Sequence, residues 1–120
     1  MGAMTTTTTT TPTPALPLPL ASFVAAMNAH DSAAFAQCFT PDAVVEDESH
    51  TYRGTEAIKG WIETAFEKFR PQLEVVNIAS HEASAVFVGQ VSGTFDGSPV
   101  LLRHHVVLDD DRIAALSIAP

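Results

Sequence analysis

Asp47 closes the run Ala43-Val44-Val45-Glu46-Asp47, and that position is what would give its carboxylate chemistry. Side chains alternate along a strand, so Asp47 shares a face with Val45 while Glu46 and Glu48 take the other. If Val45 faces a core, Asp47 does too, and the loss of water raises its pKa and makes it a better proton acceptor near neutral pH. A solvated strand-end aspartate or a turn cap is the alternative. His104 stands with Leu102, Val106 and Leu108 on one face of another strand, opposite Arg103, His105 and Val107. An inward histidine can donate a neutral N–H to a developing enolate, form a dyad with Asp47, or be a core histidine bonded to a backbone carbonyl. If both face one cavity, they should lie within direct or one-water hydrogen-bond reach, roughly 2.6 to 3.2 Å for a direct contact.

Around such a pair the sequence places large apolar side chains. Phe23 and Met27 recur at helical spacing, Trp61 lies on the inner stripe of a long helix, and Tyr52 is the only tyrosine. With Val91, Leu102 and Val106 on strands, these are the expected ligand-binding residues, Trp61 serving as a wall for flat apolar ligands. His50 follows Asp47 in a loop and could reach a ligand. Glu46, Asp47, Glu48 and His50 form an acidic cluster, but strand alternation splits it over two faces, and a metal needs converging ligands. Asp109-Asp110-Asp111 reads as a solvated turn. No metal and no cofactor are expected.

The elements that must hold these residues are legible from periodicity and punctuation. Leu20, Phe23, Val24 and Met27 mark a helix over residues 20–29, and Asp31 or Ser32 can cap a second one through Phe39. Pro41-Asp42 stops it, Ala43 to Asp47 is a strand, and Thr51 to Arg53 a short return. Gly54-Thr55 opens the longest helix, with Ile58, Trp61, Ile62, Ala65, Phe66 and Phe69 as its apolar stripe, ending before Pro71. Strands follow at residues 72–80, 83–94, 100–108 and 113–119, with hairpin signals at Asp96-Gly97 and Asp109-Asp111. Helices first and hairpin-linked strands after them predict an α+β fold, a mostly antiparallel sheet with helices on one face.

Length and composition bound the rest. A chain of 120 residues, 46% hydrophobic, supplies one core. Residues 5–19, threonine followed by alternating proline, predict an extended or disordered tail, Met1 to Met4 suggests a cloning scar, and the domain is expected over residues 20–120. Six basic against fourteen acidic residues give a net charge of −8, which argues against nucleic acid and anionic membrane as partners. Cys38 is the only cysteine, so no intrachain disulfide can form. No apolar run approaches the length of about 20 residues that spans a bilayer, and a reducing, cytoplasmic setting is expected.

Two segments carry a family resemblance. Phe23-Val24-Ala25-Ala26-Met27-Asn28-Ala29-His30-Asp31, followed by Phe39-Thr40-Pro41-Asp42-Ala43-Val44-Val45-Glu46-Asp47, resembles the helix, helix, strand opening of ketosteroid isomerases and SnoaL-like cyclases in the NTF2-like superfamily. Gly54-Thr55-Glu56-Ala57-Ile58 with Trp61 is similar to the start of their third helix. The resemblance implies a cone-shaped sheet, a cystatin-like roll, whose concave face and three helices enclose an apolar pocket, commonly in a homodimer formed through the outer sheet face. It implies Asp47 at the position of the general base and His104 at that of the protonated aspartic acid of the oxyanion hole. It places Phe23 where the isomerases carry a tyrosine, and Gly89 and Gly93 near their phenylalanines, which would leave more room or mark bulges. Arg103 and His105 go to the interface or to solvent. The implied functions are a cofactor-independent isomerase or cyclase acting on a small apolar carbonyl substrate, or a non-catalytic ligand-binding or dimerisation module. Epoxide hydrolysis is a third choice, weakened by the lack of an inward arginine between two aspartates.

Overall fold

The computed structural model describes residues 16–120, so the expectations for Met1 to Met4 and most of the tail lie outside the described residues. Three helices, α1 (Leu18–Ala29), α2 (Ser32–Gln37) and α3 (Gly54–Phe69), accompany six strands, β1 (Phe39–Asp47), β2 (His50–Arg53), β3 (Gln72–His81), β4 (Ser84–Ser92), β5 (Val100–Asp109) and β6 (Arg112–Ala119). The strands form one open curved sheet in the order β2-β1-β6-β5-β4-β3, antiparallel except where β1 meets β6. This is the expected α+β class.

Helix α1 starts at Leu18, two residues before the expected boundary, because a proline is tolerated in the first turn, where its missing N–H has no acceptor to reach. It ends on His30 in the left-handed conformation, and Asp31 then caps α2 by accepting from the Ala34 amide at 3.0 Å. The second helix stops at Gln37 rather than running through Phe39. Phe39 is fully buried and begins β1 by pairing with Ile113, whose amide donates to the Cys38 carbonyl at 2.7 Å, so pairing with the last strand takes this residue from the helix. Pro41 and Asp42 lie in an irregular stretch: between Phe39↔Ile113 and Val44↔Ala115, β1 advances five residues while β6 advances two.

The inner face of the sheet is read off burial: Ala43 and Val45 on β1, Leu73 and Val75 on β3, Ala85 and Phe87 on β4, Val106 on β5, Ile113 and Leu116 on β6. Helix α3 buries Ile58, Ile62 and Phe66 against it, as the stripe predicts, but Phe69 at its end is 37% exposed and packs edge-on against Phe95 instead. At the β3 edge, the Asn28 side chain donates to the Leu73 carbonyl (2.9 Å) and accepts from the Leu73 amide (2.7 Å). It supplies β3 with the bonds that another strand would have supplied.

Candidate functional site

Strand pairing aligns one row of residues across the inner face. Asp47 pairs with Ile118 on β6, Ile118 pairs with His104 on β5, and His104 pairs with Phe87 on β4. Asp47 and His104 therefore share a face, with the Ile118 strand between them. Two interstrand spacings separate their Cα atoms by roughly 10 Å. The direct hydrogen bond expected between them is not formed, because β6 holds them two strands apart and the His104 ring bonds to the Leu102 carbonyl instead.

Asp47 is half-buried at the end of β1. Burial raises its pKa first, and the neighbouring Glu48 charge adds to this; the polar Trp61 indole and His50 oppose the rise. Trp61 is held in turn by a stack: its ring lies 5.5 Å from Tyr52 at 27°, and Tyr52 lies 6.4 Å from His50 at 22°. The exposed His50 donates its Nδ1–H to the Glu48 carbonyl at 3.0 Å, within the turn that follows Asp47. Both residues of that turn, Glu48 (φ 52°) and Ser49 (φ 66°), are left-handed, a conformation costly for residues with a Cβ.

His104 is 2% exposed and lies flat on Phe87, centroids 4.3 Å apart at 8°. Burial lowers its pKa to about 4, so the ring is neutral. Its Nδ1 is 3.2 Å from the Leu102 carbonyl, which can only accept, so the ring proton sits on Nδ1. Of the readings open to this histidine, the bond to a backbone carbonyl is the one formed. The one N–H is used on the backbone, and Nε2 carries a lone pair. Gly89 does not enlarge a pocket either: a Cβ there would meet Leu73 Cδ1 at 2.5 Å and His104 Cε1 at 3.3 Å, so those two side chains already take the space. A bulge does lie opposite it, between Val75 and Asn77 on β3. At Gly93 a Cβ would run into the Phe69 carbonyl at 2.4 Å, so this residue lets the loop after β4 close on the end of α3.

The deep end of the concave face is filled. Phe23 is 1% exposed, and its ring packs 5.0 Å from Phe35, 6.2 Å from Phe39 and 6.4 Å from Phe87, with Met27 and Val106 buried in the same core. Phe23, Met27 and Val106, expected at a ligand, are placed in this packed interior. Tyr52, Trp61, Leu102 and Val91 remain half-buried on the inner side, as do Asp47 and Ile118. Two outer concavities, about 650 Å³ beside α1 and α2 and about 320 Å³ between α2 and α3, include neither Asp47 nor His104. Sequence reasoning missed Ile118 and Phe87. Their inward positions follow from alternation, but their alignment with Asp47 and His104 needs the strand order. Among the described residues no group of three or more His, Cys, Asp or Glu side chains converges as a metal site. No helix among them is long and apolar enough to cross a membrane.

No curated protein matches the chain. Among solved structures it is similar to a Sinorhizobium meliloti protein described as a candidate polyketide cyclase, with 35% identity over 86% of this chain and 94% of that one, TM-score 0.83. A ketosteroid-isomerase-like protein from Catenulispora acidiphila, solved with trimethylamine, superposes at TM-score 0.79 over 88% of this chain and 87% of that one, at 15% identity. An NTF2-like protein from Cytophaga hutchinsonii gives TM-score 0.71 at 13% identity over 83% of this chain and 84% of that one. The SnoaL-like domain model matches residues 20–116, which include Asp47, His104 and Phe87, and the chain belongs to the SnoaL-like family.

Proposed function

We propose that this protein is a cofactor-independent enzyme of the isomerase or cyclase kind, in which Asp47 takes a proton from carbon next to the carbonyl of a small, largely apolar substrate. The observation that carries this reading is the Asp47 carboxylate itself: half-buried on the inner face beside the Trp61 indole, and raised in pKa by burial. The substrate would lie on Ile118, between the Tyr52–Trp61 stack and Leu102. The C–H bond breaks, its proton passes to the Asp47 oxygen, and its electron pair moves into the enolate. The protonated Asp47 then returns the proton to a different carbon, which isomerises the substrate, or the enolate carbon attacks a second carbonyl of the same molecule, forming the ring-closing C–C bond while that carbonyl's π pair moves to its oxygen, which takes the proton back from Asp47. The Tyr52 hydroxyl, half-buried on the same inner side, would donate to the developing oxyanion. The cyclase description of the Sinorhizobium meliloti relative supports the second branch.

A homodimer, a reducing cytoplasmic setting and a single small-molecule partner belong to the same reading. The packed phenylalanines under the site favour a second one, in which the fold only binds a ligand or dimerises and Asp47 is structural. Exchange of α-hydrogens for deuterium in 2-tetralone, followed by proton NMR in D₂O, separates the two. Wild-type protein should accelerate exchange, and Asp47→Asn should lower the protein-dependent rate by at least about 100-fold, the typical contribution of a general base. Equal rates for the two proteins would assign Asp47 to structure.

A further inference from the structure

We infer that His104 selects the ligand by its hydroxyl group: the ring offers Nε2 as a hydrogen-bond acceptor on the concave side, so the molecule bound over Ile118 carries an O–H there. This rests on reading the half-buried inner face as the ligand site. The orientation of the ring is fixed twice, by stacking on Phe87 (4.3 Å, 8°) and by the Nδ1 bond to Leu102 (3.2 Å). The Nδ1 bond also fixes the tautomer, because a carbonyl oxygen cannot donate. No described residue bonds Nε2, and no fully sealed side-chain nitrogen among the described residues lacks a partner, so Nε2 keeps a small opening.

A lone pair in such surroundings discriminates sharply. A ligand carbonyl or ether oxygen placed against it would leave two acceptors facing each other without water, whereas a hydroxyl satisfies both groups. The low basicity of the buried ring, pKa about 4, means that it does not escape this conflict by taking up a proton at neutral pH. Asp47 lies roughly two strand spacings, about 10 Å, across the same row, a separation that a flat two-ring skeleton spans once both side chains reach inward. The substrate class is therefore a hydroxylated cyclic ketone, with its acidic C–H at Asp47 and its hydroxyl at His104.

The test uses 2-naphthol and 2-methoxynaphthalene, two flat probes of similar size, one with a hydrogen-bond donor and one without. Titrations followed by NMR in wild type and in Asp47→Asn should show 2-naphthol binding about three- to tenfold more tightly in both proteins. In His104→Phe, which preserves the stack on Phe87, the two probes should bind alike. In ¹⁵N-labelled wild type the ring should be the Nδ1–H tautomer, with the Nε2 resonance shifting on addition of 2-naphthol. An Nε2–H tautomer, equal affinities in wild type, a preference that survives in His104→Phe, or no response of His104 to either probe would each overturn the inference. Neither probe undergoes the exchange assigned to Asp47, so these outcomes are separate from failure of the proposed activity. The tautomer is measured on wild type and does not depend on the folding of any variant.

Discussion

His104 links the site to acid stability. Its folded pKa of about 4 lies below the ordinary value of 6.5, so between those limits the unfolded chain binds a proton that the folded chain refuses. Its contribution is complete above pH 6.5 and is lost as pH falls toward 4, an effect of about 3 kcal/mol over the whole window. Urea unfolding should give wild type about 2 kcal/mol less stability at pH 5 than at pH 7 from this residue, and His104→Phe should lose that part of the pH dependence. Identical pH slopes in the two proteins would mean that the imidazole is not held neutral. Asp47 acts with the opposite sign. Its raised pKa makes the folded state bind the extra proton, so its contribution declines as pH rises through the unfolded and then the folded value. The wild-type-minus-variant difference isolates the histidine.

Among the elements, β3 is one of the two edges of the sheet, and α1 secures it through the Asn28 side chain. Asn28→Ala removes both bonds to Leu73 and leaves a partly buried amide and carbonyl without partners, which should cost about 2–3 kcal/mol by chemical denaturation. Hydrogen exchange at the Leu73 amide should quicken in the same variant, and unchanged protection there would show that the clamp is not what holds the edge. Asn28 was legible only as a polar residue near a helix end. Its partner lies 45 residues away, and no local pattern encodes that contact. Helix α3, by contrast, was readable from its stripe alone, because a helix buries its face at a period set by its own geometry.

For the molecule as a whole, the outer face of the sheet is the surface left without cover. Leu101 is 57% and Val107 47% exposed there, beside the exposed Arg103 and His105, and pairing places them next to Gln90 and Ser84 of β4. Burying those side chains against a second copy is the arrangement expected of this chain. Sedimentation velocity at micromolar concentration should give a dimer, and Leu101→Lys with Val107→Lys should give a folded monomer. A monomeric wild type would remove the dimer and the interface role of Arg103 together.

The sequence by itself determined which face each strand residue occupies, because alternation at period two is local and burial of Val45 or Val106 carries Asp47 or His104 with it. It likewise determined the presence and order of the three helices, though not the ends of the first two, the α+β class and the absence of any intrachain disulfide partner for Cys38. Only the tertiary structure decided that β6 lies between β1 and β5, which puts Ile118 between Asp47 and His104 and sends the histidine to Phe87 and Leu102 instead of to the aspartate. It also decided that Phe23, Phe35, Phe39 and Phe87 close the deep end of the cone. Strand order and ring packing arise from contacts between residues far apart in the chain, whose energies depend on three-dimensional fit rather than on any spacing along the sequence.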